Sequence, residues 1–138
     1  MKDRINAAFC KTALTAFFIV SLALAAPVRV QAHARLVRSV PAFNSELAQP
    51  PSQIELWYNE LLDNGFNSIT VYPATEESAK THDNLAAGGA QVDPNDRTHL
   101  TIGLKALEPG EYVVEWRVLS QDGHSAPGKF KFKIRAAR

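Results

Sequence analysis

From Lys129 to Arg135 the chain alternates without a break: Phe130, Phe132 and Ile134 fall on one side, and Lys129, Lys131, Lys133 and Arg135 on the other. A period of two sends successive side chains to opposite faces of an extended strand, so one face of this segment belongs on an apolar core and the other in water. The pattern recurs along the chain. Residues 53–59 set Ile54, Leu56 and Tyr58 against Gln53, Glu55, Trp57 and Asn59; residues 68–72 carry Ile69 and Val71; residues 99–104 carry Leu100, Ile102 and Leu104; residues 111–120 align Tyr112, Val114, Trp116 and Val118. Residues 35–40 form a weaker strand that stops at Pro41, and Pro50-Pro51 closes the connection after it. Past the amino-terminal leader no stretch shows a helical period of useful length. About seven short strands punctuated by Pro, Gly and Asn predict an all-β domain of two packed antiparallel sheets.

The turn Glu108-Pro109-Gly110 followed by Tyr112 at the head of an alternating strand resembles the tyrosine corner of immunoglobulin-like domains. An ordinary core tyrosine would serve folding equally. The expected fold is therefore an immunoglobulin-like antiparallel sandwich or Greek-key β-barrel. Residues 74–96, rich in Ala, Gly, Asn and Asp, read as a loop with one short strand near Gln91.

The amino-terminal segment has a different character. Lys2, Arg4 and Lys11 surround the start of a run from Ala13 to Ala26 that is apolar apart from Thr15 and Ser21, and Pro27 follows it. A charged start, an apolar middle and the small-residue site Val30-Gln31-Ala32 identify residues 1–32 as a secretory signal peptide, cleaved to leave one domain over 33–138. The run falls short of the roughly 20 residues that cross a bilayer, which favours export with cleavage over a membrane anchor. A cut after Ala25 is the alternative. Cleavage after Ala32 leaves 106 of the 138 residues, enough for a single core. The mature chain then carries 11 Lys and Arg against 13 Asp and Glu, a balance that argues against nucleic acid or an anionic membrane as partner. Cys10 and Met1, the single Cys and the single Met, both leave with the leader. Disulfides, thiolate zinc sites, cysteine nucleophiles and thioether ligands are thereby excluded from the mature domain.

Cleavage after Ala32 gives His33 a free α-amine beside its imidazole, a bidentate chelator for a transition metal. Between the last two strands, Asp122 and His124 stand two residues apart, so in an extended segment both project to one side. By itself that pair reads rather as an Asp-Gly turn beside a solvated His than as a site. Together the His33 amine and imidazole, the His124 imidazole and the Asp122 carboxylate supply three nitrogens and one oxygen, a tetragonal set suited to Cu(II). Zinc accepts such donors too.

These residues fall within a wider likeness. The segments His33-Ala34-Arg35-Leu36-Val37-Arg38-Ser39-Val40-Pro41-Ala42, Ile54-Glu55-Leu56-Trp57-Tyr58-Asn59-Glu60 and Tyr112 to His124 together resemble the CopC-like periplasmic copper-binding proteins, over nearly the whole mature chain. The resemblance implies a periplasmic copper homeostasis or resistance protein that binds one Cu(II) through His33, Asp122 and His124. It further implies that Glu60 holds the terminal amine by a charge-assisted hydrogen bond, although a loop carboxylate in water is an equal reading of that residue. Members with a Cu(I) site use a Met-rich segment, absent here, so this chain resembles the Cu(II)-only form. An inner-membrane CopD-like copper transporter is the partner the likeness suggests.

Two readings of other classes stand beside the carrier. A histidine-brace copper monooxygenase would use the same amino-terminal His, and a structural immunoglobulin-like module would need no metal. His82, in the polar loop, and His99, alternating with inward Leu100, are expected to face solvent and lie outside the site. The Lys129–Arg135 stripe reads as the wet face of its strand. Trp116 belongs to the inward set, whereas Trp57, on the opposite face of its strand, is either a surface aromatic for a carbohydrate or a structural side chain.

Overall fold

The computed structural model describes residues 34–136, and the proposed leader, the mature amino terminus and His33 lie outside them. Eight strands follow in order: β1 (Leu36–Val40), β2 (Glu46–Leu47), β3 (Gln53–Tyr58), β4 (Ser68–Pro73), β5 (Ala86–Val92), β6 (His99–Leu104), β7 (Gly110–Leu119) and β8 (Ser125–Ile134). A single 3₁₀ turn, Ala74–Glu76, is the one helical piece among the described residues. The strands form two four-stranded sheets, β1-β3-β6-β5 and β2-β8-β7-β4.

The expected all-β sandwich is found, with three refinements. The sheets remain open and do not close into a barrel. The two-residue β2 runs parallel to β8, so the second sheet is mixed. In residues 74–96 the strand β5 is longer than a short piece near Gln91, because its Ala-Gly composition hides it. Its pairing with β6 skips from Ala87↔Gly103 to Gln91↔Thr101, and Gly88 takes φ +83°, a conformation glycine adopts without steric penalty.

The period-two sets predict the core. Ile54, Leu56, Val71, Leu100, Val114 and Val118 are completely buried, joined by Tyr58, Phe130, Phe132 and Ile134 and, from outside those sets, by Leu62. Burying each large aliphatic side chain stabilises the domain by about 1.5–3 kcal/mol. Tyr112 sits in this core, and its hydroxyl donates to the Glu108 carbonyl at 2.7 Å, the backward hydrogen bond of a tyrosine corner. Gly128 faces Trp116, where an added Cβ would fall 2.3 Å from the indole; only a residue without a side chain fits.

One outer face is also covered. Val113 and Tyr72, although on the solvent side by period, are buried. The segment after β4 folds back over them: His82 stacks on Tyr72 at 3.9 Å, and Glu77 reaches Lys129 at 2.6 Å and Lys131 at 2.7 Å. The three lysines of the β8 stripe are thus internally paired, with Lys133 lying 3.8 Å from Glu46.

Candidate metal-binding site

The longest pair of strands, β7 and β8, registers from Gly110↔Ile134 to Leu119↔Ser125 and closes through residues 120–124. Gly123 sits in that turn at φ +86°, where a Cβ would be strained. The Ser120 amide donates to the His124 carbonyl at 2.9 Å, and the Gly123 amide donates to the Ser120 carbonyl at 2.9 Å. Sequence and turn geometry together bring Asp122 and His124 face to face, with Oδ2 of Asp122 2.9 Å from Nδ1 of His124. The other oxygen, Oδ1, accepts a short hydrogen bond from the Ser120 hydroxyl and one from the His124 amide at 3.2 Å. These donors, Ser120 first and the His124 ring second, hold the Asp122 carboxyl down to about 2.

A second segment is stitched to this turn. Leu62 bridges Ser120, the Gln121 amide donates to the Leu61 carbonyl at 3.0 Å, and the Asp63 amide donates to the Leu119 carbonyl at 2.8 Å. Glu60 is thereby placed across an open cleft of about 380 Å³ lined by Glu60, Leu61, Gln121 and Asp122. Glu60 is half-buried, not immersed in water. Its Oε1 is buried with no hydrogen-bond partner among the described residues, an acceptor that calls for a donor or a cation. The third element is β1, whose start is clamped to the residue before Glu60: Asn59 Oδ1 accepts the Arg35 amide, and the Asn59 amide donates to the Arg35 carbonyl. Ala34, next to His33 in the chain, is buried.

Of the four residues singled out from the sequence, Asp122 and His124 are in direct contact and Glu60 shares the cleft with Asp122. His33 is outside the described residues, and among those no group of three His, Asp or Glu side chains converges on one point. Ser120 and Asn59 were missed. The Ser-x-Asp spacing and an Asn at the end of a strand are their only signals, and both are common in turns.

The other two histidines are not freely solvated: His82 is half-buried against Tyr72. His99 lies on the outer face, as its alternation requires, but its side chain is only 13 % exposed because neighbouring strands cover it. It stacks on Trp57 at 4.1 Å, with Glu55 Oε2 3.0 Å from Nε2, not aligned for a hydrogen bond, and Asp93 Oδ2 3.6 Å from Nδ1. Arg38, across the other flank of Trp57, places its guanidinium 4.3 Å from the indole. Sandwiched between β1 and β6 neighbours, Trp57 presents no open ring face to a sugar.

The fold and this end of it define a small β-sandwich domain that gathers polar side chains between a hairpin turn and an edge strand. Residues 36–135 match the family model described as the CopC domain, and the chain belongs to that family. It is 36% identical over 109 residues to "Copper resistance protein C" of Pseudomonas syringae pv. tomato, covering 76% of this chain and 82% of that protein. To "Copper transport protein CutJ" of Bacillus subtilis it is 34% identical over 104 residues, 75% of this chain, and it spans only 18% of CutJ's length. The crystal structure of CopC from Methylosinus trichosporium OB3b superposes with a TM-score of 0.68 at 27% identity, covering 77% of this chain and 97% of that one.

Proposed function

We propose that this protein is exported, cleaved after Ala32, and binds one Cu(II) in the periplasm, buffering copper or carrying it to a membrane partner such as a CopD-like transporter. The relatives named for copper resistance and copper transport support the cargo. The observation that carries the reading is the Asp122–His124 pair. Two donors each about 2.0 Å from a divalent ion and adjacent in a square plane lie about 2.8 Å apart. The 2.9 Å between Oδ2 and Nδ1 matches that edge, so Cu(II) can replace the proton shared by the pair with little movement.

His33 supplies the remaining two donors, its α-amine and imidazole, and the buried Oε1 of Glu60 takes a hydrogen bond from that amine. Both oxygen and nitrogen donors suit Cu(II), and the mature chain offers no sulfur to Cu(I). The bound copper is cargo, and no reaction is assigned to it.

The test is a Cu(II) titration of the protein beginning at His33 against the same chain extended by one Gly. An added residue turns the amine into an amide, so the extended chain is expected to bind much more weakly. Affinity of the authentic form should also fall as pH drops below about 7.7–8.0, where the amine takes up its proton. Equal binding by both forms would refute the site.

A further inference from the structure

Ser120 is 1% exposed and occupies the hinge where β7 meets the Asp122–His124 turn. Its hydroxyl has one proton and two acceptors within reach, Oδ1 of Asp122 and, at 3.0 Å, the His124 carbonyl. That carbonyl is already satisfied by the Ser120 amide at 2.9 Å. A carboxylate is the stronger acceptor, so the proton goes to Asp122.

We propose that Ser120 is the positioning residue of the copper site: its hydroxyl pins Oδ1 of Asp122 against the sandwich and leaves Oδ2, beside His124 Nδ1, as the single oxygen offered to the metal. The assignment rests on the copper-binding reading above and adds to it the group that selects the ligand oxygen. Without the hydroxyl, Oδ1 keeps only the longer 3.2 Å hydrogen bond from the His124 amide, and the carboxylate is freer to rotate about its terminal bond and present either oxygen, or both. The buried hydroxyl, with the His124 amide, restricts that freedom before the metal arrives, and it stays in place when Cu(II) displaces the proton between Oδ2 and the imidazole.

The test is a double-mutant cycle read by Cu(II) itself, with affinities from competition against a Cu(II) chelator and the paramagnetic resonance spectrum of each loaded protein. Ser120→Ala removes one buried oxygen and adds nothing, and a thermal melt without metal reports its fold. It is expected to weaken Cu(II) binding roughly tenfold and to change the copper hyperfine splitting. In the Asp122→Ala background the same substitution should cost nothing further, because the hydroxyl acts only through that carboxylate. An unchanged affinity for Ser120→Ala, or an equal loss in both backgrounds, overturns the assignment. A wild-type protein starting at His33 that takes up no Cu(II) would overturn the copper reading itself; one that binds Cu(II) while the cycle stays additive overturns the role of Ser120 alone.

Discussion

Asn59 grips Arg35 twice: its Oδ1 accepts the Arg35 amide at 2.6 Å, and its own amide donates to the Arg35 carbonyl at 3.1 Å. The edge strand that leads back to His33 is therefore fastened one residue from Glu60. Asn59→Ala removes the side-chain half of this clamp. It should cost about 1 kcal/mol of stability and weaken Cu(II) binding severalfold, measured by urea denaturation and chelator competition.

Among the histidines, His124→Ala should reduce Cu(II) affinity by at least an order of magnitude, the loss expected for a direct ligand or its close support. His82→Ala and His99→Ala should leave it within a factor of two, roughly, because His82 is stacked on Tyr72 and His99 on Trp57. Isothermal titration of the three variants decides this. A comparable loss in His99→Ala would move the site to the face of β3 and β6.

With no Cys or Met after residue 32, the mature protein should compete poorly for Cu(I). A Cu(I) chelator such as bicinchoninate is expected to strip reduced copper completely under anaerobic conditions. Retention of Cu(I) against it would contradict the ligand set.

Glu77, hydrogen-bonded by Lys129 and Lys131, has its carboxyl lowered to about 2 from an ordinary 4.5. A carboxyl with a depressed folded pKa contributes stability that is fully present above its unfolded value and lost as pH falls toward the folded one. The melting temperature should therefore drop between pH 4.5 and 2 by more in the wild type than in Glu77→Gln, and high salt should shrink the difference. Thermal melts at pH 6 and pH 2, which span that window, compare the two proteins.

Gly128→Ala would drive a methyl into the Trp116 indole, with 2.3 Å between the new Cβ and Cζ2. Pairing with β7, where Gly128 stands opposite Trp116 itself, leaves the backbone little room to yield. A loss of about 1–3 kcal/mol is expected from chemical denaturation, accompanied by a changed near-ultraviolet signal from Trp116.

The legible part of this protein was its alternation. Each inward set read from 53–59, 99–104, 111–120 and 129–135 lies in the core, because a half-buried strand allows only one face to be apolar. Covered outer faces broke the same logic: Val113, Tyr72 and His99 are sheltered by a returning loop or by cross-strand stacking, and pairing between distant strands leaves no local period. β5 was obscured by its glycines, and β2 by having only two residues. At the site, the Asp-x-His spacing was visible because two-residue separation has a geometric meaning. Ser120 and Asn59 were not, since their roles depend on which distant backbone each one meets.

The β7–β8 hairpin joins ten-residue strands through a five-residue connection, so its contacts are close in sequence and among the cheapest to close. The hairpin alone holds Asp122 against His124, whereas Glu60 is joined to them through Leu62 meeting Ser120 and Leu61 meeting Gln121. Half of the site is thus held by contacts close in sequence and half by contacts between distant segments. A metal held by both halves, as proposed, is expected to strengthen the docking of residues 61–63 on the hairpin turn, so amide exchange there should slow more on Cu(II) binding than within the hairpin.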